Sequence, residues 1–448
     1  MKLDGLKKIY FVGIGGIGMS ALARYFNSLG IEVFGYDRVE TVLTKSLVRE
    51  GMKVHSEEDV TQIPAGIDLV VYTPAIPATH QELSYFWEQN YPVKKRAEVL
   101  GIISKNRKTI GIAGTHGKTS TSAILTHILR SCGIDCTAFL GGIAANFDSN
   151  FVAGQSEWVV MEADEFDRSF LHLYPELAII TSMDADHLDI YGDEASMHQT
   201  FYDYAKQVQN TLYYKQDLPL TSNHNQAISF RSYGIAAGSV RAVNIRAEAP
   251  YFVFDWQEDE AVIKDLKFTL PGNHNVLNAT AAIAIAKKLG CEAEGIREAL
   301  FSFKGIKRRF EFMVETEAQV YIDDYAHHPE ELKAAIHAAK TLYPTREITG
   351  VFQPHLFSRT QDFAEEFATA LDLLDAVILL DIYPARELPI EGVSSAIIFD
   401  KMKHSNKVLI TKDALLEELK TRDLDVLMTL GAGDIGVLVP DIAKLFVK

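Results

Sequence analysis

At 448 residues the chain exceeds what one hydrophobic core usually supports, so two or three domains are expected. Apolar residues make up 47% and charged residues 23%, the balance of a soluble globular protein, and the net charge of −16 argues against nucleic acid or anionic membrane as a partner. No apolar run approaches a membrane span and the start reads as strand and loop, so neither membrane insertion nor a signal peptide is expected.

The first element is a buried strand, Lys8 to Val12. Gly13-Ile14-Gly15-Gly16-Ile17-Gly18 follows, then a helix from about Met19 with Leu22, Tyr25, Phe26 and Leu29 on one face. A second strand, Ile31 to Tyr36, ends at Asp37, nineteen residues after Gly18. This is a dinucleotide fingerprint. Gly13, Gly15, Gly16, Ile17 and Gly18 would carry a diphosphate at a helix N-terminus, and Asp37 is placed for a ribose hydroxyl. The pattern does not separate a nicotinamide dinucleotide from a nucleotide sugar. A later strand, Asp68 to Tyr72, runs into Thr73-Pro74-Ala75-Ile76-Pro77. Thr73 and Ala75 thus stand at the carboxyl end of a strand, where such sheets bind ligands. Lys94-Lys95-Arg96 and the polar stretch Ser104 to Lys108 separate this unit from the next.

The apolar run Thr109 to Ala113 leads into Gly114-Thr115-His116-Gly117-Lys118-Thr119-Ser120 and a helical pattern, the layout of a phosphate-binding loop. Backbone N–H groups wrap the anion, Lys118 reaches the terminal phosphates, and Thr119 offers a hydroxyl to the accompanying magnesium. Ile112 stands where the strict pattern has glycine, so the loop is a variant for ATP or GTP. Two phosphate loops fit an enzyme that spends ATP on a nucleotide-linked substrate.

Two strands then end in acid. Trp158 to Met161 meets Glu162-Ala163-Asp164-Glu165, and Leu177 to Thr181 meets Asp184-Ala185-Asp186-His187-Leu188-Asp189. A carboxylate at a strand tip beside a phosphate loop holds magnesium, and Glu162 directly follows its apolar run. His187, amid three acids, is read as a ligand or positioning group; Asp184 and Asp189 read equally well as solvated loop. Residues 210 to 270, with short alternating stretches, look like an inserted antiparallel piece. Pro271 to Asn278 opens an alanine-rich helix; its amides are able to read a base edge, but by composition alone the segment is only a helix cap. In the last third, strands are expected at Glu347–Phe352, Ala376–Leu380 and Val426–Leu430. The pair Arg308-Arg309 suits a transferring phosphoryl group. The three cysteines, Cys132, Cys136 and Cys291, lack zinc spacing and read as small core residues of a reducing cytosol.

Gly114-Thr-His-Gly-Lys-Thr, Glu162-Ala-Asp-Glu, Asp186-His187, Gly272-Asn-His-Asn-Val-Leu-Asn278, Arg308-Arg-Phe, Asp323-Asp-Tyr-Ala-His-His-Pro329 and Gly431-Ala-Gly-Asp-Ile435 occur in this order. In this series the chain resembles the Mur ligases, the ATP-dependent amino-acid ligases of peptidoglycan synthesis. The N-terminal Gly-Ile-Gly-Gly-Ile-Gly-Met-Ser and Phe170-Leu-His-Leu173 are most similar to the alanine-adding branch. Residues 166 to 173 offer no lysine to carbamylate, as suits that branch.

The resemblance implies an α/β protein of three domains. These are a Rossmann-like parallel sheet for a UDP-sugar over 1–106, a P-loop-type ATPase sheet over 107–304 and a Rossmann-like α/β domain for the amino acid over 305–448. It implies UDP-N-acetylmuramate, L-alanine and ATP as substrates, Mg2+ as cofactor, a cytoplasmic monomer or homodimer, and an acyl-phosphate intermediate. Glu162, His187 and Thr119 would hold metal. Gly114 to Ser120, Asn275, Asn278, Arg309 and Asp324 would contact ATP. Tyr325, His327 and Arg359 would meet the amino acid, and Lys118, Arg309 and His327 would be catalytic. One departure stands out: the branch often carries two arginines in the motif Gln353-Pro-His-Leu-Phe-Ser-Arg-Thr360, and here Leu356 leaves only Arg359. A recycling ligase that attaches a whole tripeptide, and a nicotinamide oxidoreductase, remain as alternatives.

Overall fold

The computed structural model describes residues 3, 5–184, 191–248, 251–385 and 387–446. Its fold is α/β with three sheets. The first contains β1 (Lys8–Val12), β2 (Glu32–Tyr36), β3 (Lys53–His55), β4 (Leu69–Tyr72) and β5 (Val93–Lys95) in the order 3-2-1-4-5. All its pairings are parallel. Ile9 to Val12 have no solvent exposure, which is why the strand reads as a continuous apolar run rather than an alternation. The strand order reverses between β1 and β4, so the glycine loop after β1 and the proline loop after β4 flank one crevice.

The second sheet holds β6 (Lys108–Ala113), β7 (Thr137–Ala144), β8 (Ser149–Val152), β9 (Trp158–Ala163), β10 (Leu177–Ile180), β11 (Thr211–Lys215), β12 (Ser229–Ile235), β13 (Val240–Glu248), β14 (Tyr251–Glu258) and β15 (Ala261–Phe268). Its order is 15-14-13-12-11-10-6-9-7-8. The strand β6 lies between β9 and β10, parallel to both, and the register sets Glu162 opposite Ile112. The antiparallel reading of 210–270 is corrected at its start. Strands β11, β12 and β13 extend the ladder in parallel, Leu177 pairing Thr211, Thr211 pairing Ser229 and Tyr233 pairing Val240. Alternation along a strand reports one wet face, and that is independent of strand direction.

The third sheet holds β16 (Glu311–Glu315), β17 (Val320–Asp324), β18 (Ile348–Phe352), β19 (Ala376–Leu380), β20 (Lys407–Ile410) and β21 (Val426–Leu430), ordered 16-17-21-18-19-20. It is parallel except for the antiparallel edge β16. The three strands expected here are present. Three more were missed: β17 ends in two acids, while β16 and β20 lie only half buried at the sheet edges.

The chain divides into two compact units. One comprises Met1–Val243, Trp256–Lys264 and Leu277–Phe303; the other comprises Asn244–Asp255, Asp265–Val276 and Lys304–Lys448. Within the first, one apolar core joins Ile9, Phe26, Phe139, Phe170 and Tyr204. Tyr25 of the helix Ile17–Ser28 meets Phe139 and Phe151 at ring-centroid distances of 5.4 and 6.2 Å. That helix begins two residues earlier than its apolar face suggests, because Gly16 already has the extended backbone of an N-cap. The second unit's core gathers Tyr321, Val351, Ile378, Leu427 and Ile435. Among the described residues no helix is long and apolar enough to cross a membrane. The cysteines are free, with Cys136 and Cys291 buried.

Candidate active site

The loop after β6 is shaped by two glycines in backbone conformations that other residues rarely adopt, Gly114 at φ 133° and Gly117 at φ 82°. Gly117 caps the helix Lys118–Ser131, and a Cβ there would lie 2.7 Å from Asn278 Oδ1. Asn278 is therefore packed against the loop itself. The loop is tied to the end of β10: Ser182 Oγ accepts from His116 N at 2.7 Å and contacts Thr115 Oγ1 at 2.9 Å. Thr181 Oγ1 donates to Ala113 O at 3.0 Å and also to His116 O. These two hydroxyls fasten the loop to the segment after β10, and the sequence alone did not single them out.

Lys118 Nζ donates to Gly114 O and to Glu165, each at 2.6 Å. Both side chains of the Lys118–Glu165 pair are largely buried, at 13% and 2% exposure. Burial works against the ammonium, but the carboxylates of Glu165, Asp164 and Glu162 outweigh it and raise its pKa above the ordinary value. The lysine is thus held charged beside the loop.

The Thr119 hydroxyl reaches both oxygens of Glu162, at 3.0 and 3.1 Å. Glu162 also packs against Gly141, where a Cβ would collide with its carboxylate. A hydroxyl and a carboxylate next to a phosphate loop form an all-oxygen donor set that fits magnesium, which takes one or two carboxylates and completes its shell with phosphates and water. No cluster of three or more His, Cys, Asp or Glu side chains with metal-binding geometry occurs among the described residues. Asp186, His187 and Asp189 lie outside the described residues.

At the first sheet, Thr73 Cγ2 and Ile76 Cδ1 would lie 3.2 and 3.1 Å from a Cβ on Gly13, so the proline loop covers the glycine loop. Ala75 is exposed in that loop. Asp37 accepts from Gly15 N at 2.7 Å; in this arrangement the acid braces the glycine turn. Beside it a cavity of about 410 Å³ is lined by Asp37, Val39, Thr44, Val54 and His55. Arg96 was read only as part of a basic linker. Its guanidinium lies over Gly18 and pairs with Asp164 at 3.1 Å. A signal was available: Arg96 opens the helix Arg96–Lys105, where the helix dipole disfavours a cation.

In the second unit the residues after β17 form a tight cluster. Asp324 accepts backbone N–H groups from Phe310 and Ala326, both at 2.7 Å, and burial pushes its pKa up to about 6. Arg308 is committed to structure. It pairs with the fully buried Asp323 at 3.0 Å and donates to Gly431 O at 2.7 Å, which leaves Arg309 as the arginine open to a ligand. Both guanidinium groups lie 5.1 Å from the Tyr325 ring centre. The rings of Tyr325 and His327 meet edge to face at 5.3 Å, and His327 lies 5.9 Å from His355. Arg359, only 7% exposed, approaches His355 Nδ1 at 3.5 Å. Leu356 adopts φ 72°, a strained conformation for a leucine, and donates its N–H to Tyr383 O at 3.0 Å. Asn275 donates to Pro271 O at 2.8 Å. His274 and His327 are both depressed to about 4, chiefly by burial, and are neutral near pH 7.

A charged lysine in a phosphate loop, an oxygen donor set beside it and a separate diphosphate-type glycine loop define an ATP-dependent ligase. The chain belongs to the Mur ligase family: residues 8–108 match its catalytic domain, 112–286 its middle domain and 308–433 its glutamate ligase domain. It is 48% identical over 454 residues to the UDP-N-acetylmuramate–L-alanine ligase of Flavobacterium johnsoniae, covering 99% of each chain. It is 50% identical over 453 residues to the like-named enzyme of Flavobacterium psychrophilum, again covering 99% of both. The fold matches the crystal structure of the UDP-N-acetylmuramate–alanine ligase from Thermotoga maritima with a TM-score of 0.84 and 29% identity, over 98% of this chain and 99% of that one.

Proposed function

We infer that this chain joins L-alanine to UDP-N-acetylmuramate at the expense of ATP. The observation that carries the reading is 48–50% identity, across 99% of both chains, to enzymes named for that reaction. The γ-phosphoryl group of ATP passes to the substrate carboxylate and ADP leaves. The amine of alanine then attacks the acyl carbonyl, and the bond to phosphate breaks.

The site residues fit these steps. Lys118 neutralises charge on the transferring phosphoryl group, and Arg309 is assigned as a second cation for the same charge. Thr119, Glu162 and, by resemblance, His187 would hold Mg2+, which supplies further neutralisation when bound. The loop Gly13–Gly18, with Ile17, Thr73, Ala75 and the brace Asp37, receives the UDP-sugar. Asn275, Asn278 and Asp324 complete the ATP site. Tyr325, His327 and Arg359 receive alanine, with Arg359 taking the α-carboxylate in a two-bond fork. We assign 1–106 to the sugar nucleotide, 107–304 to ATP and 305–448 to the amino acid.

The test is phosphate release from ATP in the presence of UDP-N-acetylmuramate, with L-alanine, glycine, L-serine or a murein tripeptide as acceptor. Fastest release with L-alanine is expected. Release with the tripeptide alone would make this a recycling ligase.

A further inference from the structure

Glu331 entered none of the assignments above, yet it is the residue on which the amino-acid side of the site converges. It is the third residue of the helix Pro329–Leu342, and its side chain is 14% exposed. Its carboxylate accepts the backbone N–H groups of His327 at 3.0 Å and His328 at 3.3 Å. The same oxygen lies 3.2 Å from His327 Nδ1, and the other faces Arg309 NH1 at 3.9 Å.

His327 Nδ1 is also 2.9 Å from Tyr325 O. A carbonyl oxygen only accepts, so Nδ1 carries the hydrogen, and Nε2 is left as the lone pair. The charged groups acting on this ring are Glu331, Arg359 and Arg309. The two arginines disfavour a positive ring; Glu331 favours one, as does the Tyr325 carbonyl that accepts from Nδ1.

We propose that Glu331 is a positioning residue for the amine-attack step: together with the Tyr325 carbonyl it holds His327 with Nδ1–H inward and Nε2 as proton acceptor, and its carboxylate stabilises the ring once protonated. This rests on the ligase reading above. Alanine arrives as an ammonium; its first proton goes to bulk water, its nitrogen attacks as the free amine, and one further proton must leave as the amide forms. As the N–C bond forms and the C–O bond to phosphate breaks, phosphate leaves with the electron pair and the amine proton passes to Nε2. The imidazolium so formed sits against the Glu331 carboxylate, the arrangement of a base oriented and then stabilised by an acid. Arg309 at 3.9 Å is braced more weakly, because it is partly solvated.

The experiment compares Glu331→Gln and Glu331→Asp with the full-length wild type. Glutamine caps a helix at this position as well as glutamate does, so a purely capping role predicts that Glu331→Gln is mild. The positioning role predicts that Glu331→Gln lowers kcat/KM for L-alanine by about tenfold or more, with the KM for ATP within about threefold and the melting temperature unchanged. Glu331→Asp, which keeps the charge, should recover part of the loss. Glu331→Gln activity within about threefold of wild type, or a loss that tracks a fall in melting temperature, overturns the proposal. Absence of alanine-dependent turnover in the wild type would refute the ligase reading instead.

Discussion

Glu162 holds the Thr119 hydroxyl with both carboxylate oxygens, at 3.0 and 3.1 Å. The bond joins the end of β9 to the first turn after the phosphate loop, and it sets both donors on the side where the phosphates would lie. Glu162→Gln keeps the shape but removes the charge a hard cation needs. It should raise the Mg2+ concentration for half-maximal phosphate release by about tenfold or more, and chelation should abolish turnover in both proteins. An unchanged Mg2+ titration would remove Glu162 from the metal site.

Lys118→Ala removes the cation facing the phosphates and should cost on the order of several kcal/mol of barrier. It also strands Glu165, whose carboxylate is 2% exposed and lies 2.6 Å from the ammonium. The double variant Lys118→Ala/Glu165→Gln should therefore melt higher than Lys118→Ala while staying as inactive. Wild-type-like turnover in either protein would end the assignment.

At the sugar loop, a Cβ on Gly15 would stand 2.7 Å from Thr44 Cγ2 and 2.8 Å from Asp37 Oδ2. Gly15→Val should push Asp37 off the Gly15 N–H and close the diphosphate approach, leaving the affinity for an ATP analogue largely intact. Titration of UDP-N-acetylmuramate and the ATP analogue against the variant decides; undiminished sugar-nucleotide affinity refutes the placement.

Arg359 is the one arginine in the stretch Gln353 to Thr360. Arg359→Lys should raise the KM for alanine well before it alters the KM for ATP, because an ammonium cannot fork onto a carboxylate. A wall of Tyr325 and His327 discriminates a methyl by only about 1–3 kcal/mol, so glycine and L-serine should be slow but measurable substrates. Loss of ATP affinity with normal alanine saturation would move Arg359 to the phosphate site.

The neutral histidines give a pH signature. His274 and His327 fall from the ordinary value of 6.5 to about 4 in the folded protein. The unfolded chain therefore binds more protons between these values, and stability present above the ordinary value is lost as pH falls toward 4. His274→Asn removes one of the two groups. Its drop in melting temperature between about pH 7.5 and about pH 5 should be smaller than that of wild type; an equal drop would show that His274 is not the group responsible.

Much of this protein is local, and so legible in the chain. A phosphate loop is a turn, two glycines and a lysine within a few residues, so Gly114 to Ser120 could be read without knowing what surrounds them. The same holds for Gly13 to Gly18 and for Glu162, which ends its own apolar run, and the buried central strands declared themselves as continuous apolar stretches. Partnership across long sequence separations was not legible. Nothing in the order of residues says that Glu165 neutralises Lys118, that Arg96 lies over Gly18, or that Arg308 is spent on Asp323 while Arg309 is not. Nor did alternation in 210–270 reveal strand direction, since both directions share the same two-residue period. Glu331 shows the division most clearly. As a sequence feature it is an acid in the first turn of a helix, one of many; the fold brings a ring nitrogen, two backbone N–H groups and a guanidinium to its carboxylate. Periodicity and turn chemistry act over a few residues and sequence carries them, whereas burial and charge pairing act through space and exist only once the sheets have assembled.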